Sequence, residues 1–325
     1  MSKGKFVVSL DFELHWGVFD LYSVAQYQEN LDNTRWAIDG MLSLFERYGI
    51  HVTWATVGFL FCQSKEEIRA LIPASDIPQY ADPNLNPYAT FPNIGNSEQE
   101  DKYHYAPSVL QKIMQVPGQE IGTHTFSHYY CLEAGQTIET FEADLVASIK
   151  VAEKIGVKIE TIIFPRNQYS EAYLGICRKW GITSFRGCEE DWASRTSSYK
   201  DKTILKKGLR FIDSFVPLLG ETWLKKPTQM NGVYNIPSTR FLRPYRPNQF
   251  QNNLRLDRIK KSMLHAAKNG YIYHLWWHPH NFGQHTANNL KNLEVILTHY
   301  TALKDTYGMQ SLNMKEVVDA DREGR

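Results

Sequence analysis

Short apolar runs rich in β-branched and aromatic residues alternate with longer stretches of helical periodicity along most of this chain. Residues 6–10 (Phe6-Val7-Val8-Ser9-Leu10) read as a buried strand, followed at once by Asp11-Phe12-Glu13. The spacing over 33–48 puts Ile38, Met41, Leu42 and Phe45 on one side of a helix, with Gly49 as its stop. Residues 51–57 form the next strand, and strand, helix and strand in succession predict a βαβ unit and a parallel sheet. The alternation resumes after residue 102. Strands are expected at 120–123, 161–164, 182–185, 232–237, 271–277 and 309–313. Helices are expected at 138–155, 172–180, 254–268 and 287–307, and a polar tail at 319–325.

Two stretches break the rhythm. Residues 76–102 carry Pro78, Pro83, Pro87 and Pro92 among Tyr80, Tyr88 and Phe91, which fits either a lid or binding loop or a surface insertion. Residues 199–231 show no assignable element, so a second insertion is placed near 190–231. The expected fold class is α/β, a single domain over 1–325 built as a barrel of parallel strands, with an open doubly wound sheet as the competing architecture. The Gly-rich nucleotide motifs are absent from the sequence, which weakens nucleotide-fold readings.

Composition narrows the partners more than the fold. Hydrophobic and charged contents of 42% and 22% are those of an ordinary globular chain, and a formal net charge of +1 argues against a nucleic-acid partner. Cys62, Cys131, Cys177 and Cys188 form no C-x-x-C pair and read as free thiols in a reducing compartment. The apolar run at 6–10 is stopped by Asp11, too short for a signal peptide, and no later run suits an integral membrane segment. A cytoplasmic protein is therefore expected. Nothing in the pattern speaks to an oligomeric state.

The candidate chemistry collects just past the ends of predicted strands, which converge on one face in parallel α/β folds. His124 and His128 stack on one side if the backbone makes a helical turn there, and such a pair can hold a divalent ion. The alternative is two unrelated histidines. Asp11 and Glu13 share a face, and burying both is costly unless a cation neutralises them. Two imidazoles and one carboxylate would leave coordination positions open, as in catalytic sites, and free the second carboxylate to act as a base. A solvated acidic strand end is the alternative. Such a donor set suits zinc, with cobalt, nickel, manganese or iron also able to occupy it. Thr125 follows His124, so the H-E-x-x-H pattern is excluded.

Other histidines are weighed singly. His280 is a candidate sugar contact or a support behind the metal ligands, and His274 shares a strand face with Trp276 and His278, beneath the site. His15, His51, His265, His285 and His299 read as structural or surface residues. Arg240, Arg243, Arg246, Arg255 and Arg258 are interleaved with Phe241, Tyr245 and Phe250. Guanidinium forks suit phosphate, so Arg240 and Arg243 are candidate substrate contacts, against a solvated face with internal ion pairs.

Five segments together resemble the NodB-type polysaccharide deacetylases, a metal-dependent carbohydrate esterase family. They are Ser9-Leu10-Asp11-Phe12-Glu13, 123–128 (Thr-His-Thr-Phe-Ser-His), 164–169 (Phe-Pro-Arg-Asn-Gln-Tyr), Asp191-Trp192 and Trp277-His278-Pro279, in the family's order. The resemblance implies a distorted (β/α) barrel of about seven strands. It also implies Asp11 as general base, Glu13, His124 and His128 as metal ligands, and Arg166 orienting the base. Tyr169 would offer a backbone N–H to the oxyanion, Trp192 would line the pocket, and His278 would be the general acid. Phe12 stands between the two acids, and Gln168 stands where the family usually has Pro. The segments 164–168 and 274–282 resemble a branch found among surface-polysaccharide assembly enzymes. The implied reaction is N-deacetylation of a sugar, with a nucleotide- or lipid-linked amino sugar of O-antigen or capsule biosynthesis as the expected substrate. The alternatives are a deformylase or other C–N amide hydrolase of the same fold, and a carbohydrate-binding relative without turnover.

Overall fold

The computed structural model describes residues 3–72, 74–187 and 223–324. Strand β1 (Lys5–Phe12) lies at the centre, parallel to both its neighbours, β2 (Val52–Thr56) and β9 (Ile272–Trp277). From β2 the sheet continues in parallel through β3 (Gln119–Thr123), β4 (Thr161–Ile162) and β5 (Ser184–Phe185). One further segment then closes the ring. Its first part, β7 (Val233–Asn235), pairs with β5. Its second part, β8 (Arg240–Phe241), pairs with β9. Between them the Ser238 N–H reaches the Gly187 carbonyl and the Thr239 N–H reaches the His274 carbonyl, at 3.2 and 2.8 Å. The strands therefore form a distorted seven-position barrel rather than an open sheet. β6 (Thr228–Met230) hangs from β7 as an antiparallel hairpin, and β10 (Gln310–Leu312) shares the β2 edge of β1 by pairing with Lys5–Val7.

Every β1 residue after Lys5 is buried, as expected where side chains fill the barrel on one side and helices cover the other. Helix α1 (Gln28–Tyr48) packs Leu31, Ala37, Ile38, Met41 and Phe45 inward and ends at Gly49, whose φ of 61° no β-carbon opposes. It starts five residues before the periodic pattern because its first turn is polar; Asn30 donates to the His280 carbonyl and is held by that contact. Helices α2 (Lys65–Leu71) and α3 (Pro107–Gln115) were not legible in the sequence, being short and lying beside the proline-rich stretch. Helices α4 (Ile138–Glu153), α5 (Glu171–Lys179), α6 (Gln249–Asn269) and α7 (Thr286–Tyr307) complete the outer layer.

Two expectations change. The polar tail is instead helix α8 (Met314–Glu323), started by a capping box between Asn313 and Glu316. Its single apolar face, Met314, Val317 and Val318, closes the barrel floor against Val7, Ala55, Ile163, Ile236 and Ile272. The 76–102 insertion is a packed wall: Phe91 lies edge-on to Trp16 and Phe59, and Tyr88 to Phe59. The second insertion, as far as residue 222, lies outside the described residues. Among the described residues no helix is long and apolar enough to cross a membrane.

Candidate metal centre and active site

The barrel brings Asp11, Glu13, His124, His128 and His278 to the carboxyl ends of its strands. The first four are 3% exposed or less. His124 and His128 are not on a helical turn. Thr125 and His128 have φ of 63° and 58°, so the 124–128 segment folds back as an irregular loop. What fixes it is Asp144 of α4, fully buried, which accepts from the Phe126 and Ser127 N–H groups at 2.6 and 3.1 Å and from the Ser127 hydroxyl. Burial pushes the Asp144 carboxyl up to about 7, with these donors opposing the shift.

His124 Nε2 and His128 Nε2 lie 2.9 and 3.3 Å from the same Glu13 oxygen, Oε1. All three donor atoms fall within 4.8 Å of one another. Both ring nitrogens of His124 and Nδ1 of His128 are buried without a hydrogen-bond partner among the described residues. Buried polar atoms are rarely left so unless something else satisfies them. Gly17 adds a second sign: a β-carbon there would sit 1.8 Å from Glu13 Oε2, so glycine keeps the carboxylate's place open. Two imidazoles and one carboxylate, buried with their donor atoms converging, fit one divalent ion.

Asp11 stands beside this set with a different partner. Arg186 binds it at two points, Nη1 to Oδ1 and Nη2 to Oδ2, each 2.7 Å. Burial alone would raise the Asp11 pKa; Arg186, with His124 and His278, more than offsets this and holds it below the usual carboxylate range. Glu13 follows the same logic, with His278, His124 and His128 overcoming burial to hold it well below its usual value.

This corrects the role given to Arg166. The chain turns at Arg166 with φ 55°, and its guanidinium pairs with Asp20, lies 3.9 Å from Glu133, and sits 4.1 Å over the Tyr130 ring. Arg186, just past β5 and fully buried, occupies the place beside Asp11. Both arginines follow a strand end, so position along the chain alone does not separate them. The roles of Asn167, Asp144 and Gly17 were likewise missed: Asn167 and Asp144 act on residues 17–19 positions away, and Gly17 acts by the side chain it lacks.

His278 reaches to 3.7 Å from Asp11 Oδ2 and 3.8 Å from Glu13 Oε1, and is 24% exposed. The Tyr27 hydroxyl donates to Asn281 Oδ1, which turns the Asn281 amide N–H toward His278 Nδ1 at 3.3 Å. A neutral His278 therefore carries its proton on Nε2, facing the carboxylates. His280 stacks on His278 at 5.2 Å, with Nδ1 4.0 Å from Glu13 Oε2. Burial, and then the neighbouring His278, push its pKa to about 3, so it is neutral. The Tyr169 ring packs on Phe185 and Phe164, with centroids 4.9 and 6.0 Å away. Trp192 lies outside the described residues.

Arg240 and Arg243 line a separate, solvent-open pocket with Phe241, Asn252, Arg255 and Asn292. Phe241 is the wall shared with the site, its ring 5.7 Å from His278. The loop carrying the arginines is pinned by buried asparagines. Asn289 Oδ1 accepts from the Tyr245 N–H, and Asn252 donates to the Arg246 and Asn248 carbonyls.

No protein-family model matches the sequence, and no curated protein matches it. Solved structures do share the fold. A protein of Mycobacterium smegmatis described as a polysaccharide deacetylase aligns with TM-score 0.61 at 10% identity, over 100% of this chain and 92% of its own. One from Pseudomonas aeruginosa PAO1 with the same description gives 0.57 at 9%, over 96% and 89%. The allantoinase Puue gives 0.54 at 8%, over 96% and 88%. At these identities the likeness establishes the barrel and not the reaction.

Proposed function

We propose that this protein is a metal-dependent hydrolase that removes the N-acetyl group from an amino sugar. The observation that carries the reading is the buried convergence of Glu13, His124 and His128 beside an Asp11 held ionised by Arg186. Those three side chains would hold one divalent ion, with zinc the first choice for the donor set. A bound ion supplies Lewis acidity at the acyl carbonyl and lowers the pKa of water. Asp11, fixed by its two-point bond, accepts the water's proton. The Tyr169 N–H donates to the developing oxyanion, and His278, when it carries a second proton, gives a proton to the leaving amine and is left as the neutral imidazole. Fold neighbours described as polysaccharide deacetylases support a sugar as the substrate class.

The reading extends to a phosphate-bearing sugar, nucleotide- or lipid-linked, in the cytoplasmic assembly of a surface polysaccharide. Its support is the pocket bearing Arg240, Arg243 and Arg255 behind Phe241. Cys62, Cys131 and Cys177 are buried free thiols, as suits a reducing compartment.

Metal analysis with acetate release across nucleotide-activated N-acetyl sugars tests both levels. One ion per chain and metal-dependent acetate release are expected. Arg240→Gln with Arg243→Gln should raise KM at least about tenfold on phosphorylated sugars and leave unphosphorylated ones unchanged. Release of formate would replace the reading with a deformylase, and binding without release would replace it with a carbohydrate-binding relative.

A further inference from the structure

We propose that His274, Ser9 and Asn167 are positioning residues: through a one-directional chain of hydrogen bonds in the barrel interior they fix the Arg186 guanidinium and, through it, the Asp11 carboxylate. The inference rests on the reading of Asp11 as the base. The chain begins at the Ile236 carbonyl, which can only accept. His274 Nδ1 lies 3.1 Å from it and must donate. A neutral imidazole that donates at Nδ1 accepts at Nε2. Ser9 Oγ is 2.8 Å from that nitrogen, so the serine hydroxyl donates there. The Ser9 oxygen is left with lone pairs facing Arg186 Nη1 at 3.1 Å.

Donor counting at Arg186 completes the case. Nη1 serves Asp11 Oδ1 and Ser9; Nη2 serves Asp11 Oδ2 and, at 3.3 Å, Asn167 Oδ1. All four terminal N–H directions are taken, so the guanidinium has one orientation. Trp276 covers its face at 4.0 Å. Asn167 reaches this place from a left-handed backbone with φ 53°, a conformation that costs about 1 kcal/mol or more and is kept where surroundings demand it. Ser9, Arg186 and His274 are fully buried, so water does not substitute for a lost member. A second proton on His274 would aim an N–H at the Ser9 oxygen, which already accepts from Arg186, and place two cations together. Burial, and then Arg186, push the His274 pKa to about 3, so that state is not reached near neutrality.

The test compares Ser9→Ala, His274→Leu and His274→Gln in the metal-loaded full-length protein. Ser9→Ala and His274→Leu should lower kcat roughly tenfold to a hundredfold, the range for partners that orient a reacting group, with KM and metal content unchanged. His274→Gln keeps one donor and one acceptor on a planar group and should recover most of the loss. A Ser9→Ala kcat within about twofold of wild type, or a glutamine variant no better than leucine, overturns the proposal. Should the leucine variant fail to fold, Ser9→Ala, which removes a single oxygen, decides. Nitrogen-15 NMR of the wild type gives a readout independent of turnover: the His274 proton should reside on Nδ1 alone from about pH 5 to 8, and a proton on Nε2 overturns the chain. A wild type without metal-dependent acetate release would sink the functional reading, and the NMR result would still decide the chain.

Discussion

The two ends of the barrel handle backbone strain differently. At the amino end, where helices return to strands, Gly49, Gly118, Gly156, Gly181, Gly270 and Gly308 take the left-handed positions, and Asn231 with Gly232 turns the hairpin before β7. At the carboxyl end, where strands run into loops, the left-handed positions include Leu14, Thr125, His128, Arg166, Asn167 and His285, with one glycine, Gly135. A side chain in that conformation costs about 1–2 kcal/mol, which glycine avoids. Polar groups divide in the same way. Glu120 at the floor is partly buried and accepts from Thr53 at 2.6 Å, from Thr161, and from the Lys315 N–H at 3.2 Å. His124 and His128 at the rim have buried nitrogens without such partners. One end is built for stability; the other holds side chains that chemistry needs at positions glycine would otherwise take.

Four measurements test this contrast. Asp11→Asn should lose at least about a hundredfold in kcat. Because it leaves Arg186 buried without its carboxylate, urea unfolding should also show a loss of about 3–5 kcal/mol. His278→Ala should match the catalytic loss but stay within about 1 kcal/mol in stability, since His278 is half-buried. Equal stability in the two variants would mean the Asp11–Arg186 pair is not the buried ion pair described.

Asp144→Ala should cost about 2–4 kcal/mol by leaving the Phe126 and Ser127 N–H groups buried without an acceptor. It should also loosen metal binding, read by competition with a chelator. Asp144 binds its proton more tightly folded than unfolded. Its contribution is therefore complete below about pH 4 and declines as pH rises through about 7, a slope that Asp144→Asn should flatten. The third comparison sets the ends against each other directly. Gly49→Ala and Gly270→Ala should each destabilise by about 1 kcal/mol, whereas His285→Gly, exposed at φ 52° beside the rim, should stabilise by about 0.5–1 kcal/mol. Opposite signs would remove the strain argument.

The smallest effect belongs to the floor pair of His51 and Glu316, 2.8 Å apart and partly exposed. Glu316 raises the His51 pKa above its usual value, against burial. The stabilisation is full below about pH 6.5 and disappears as pH rises through the raised value. His51→Gln should therefore cost under about 1 kcal/mol at pH 5.5 and nothing measurable at pH 9 in thermal unfolding.

Much of the framework was legible because its signals are local. The apolar runs that became β1, β2, β3 and β9 carry their own periodicity, and Asp11, Glu13, His124, His128 and His278 follow strand ends that parallel pairing must gather on one face. Shorter elements escaped. β8 is two residues, Arg240–Phe241, recognisable only by what it pairs with, and α8 shows one narrow apolar face that reads as a polar tail until the barrel floor is there to receive it. Which arginine holds Asp11 was decided by tertiary structure alone. Arg186 and Asp11 are 175 residues apart, and strand register across a closed ring, rather than any spacing along the chain, sets them face to face. The same is true of the His274 tautomer, since a proton's place is dictated by neighbours the folded chain supplies.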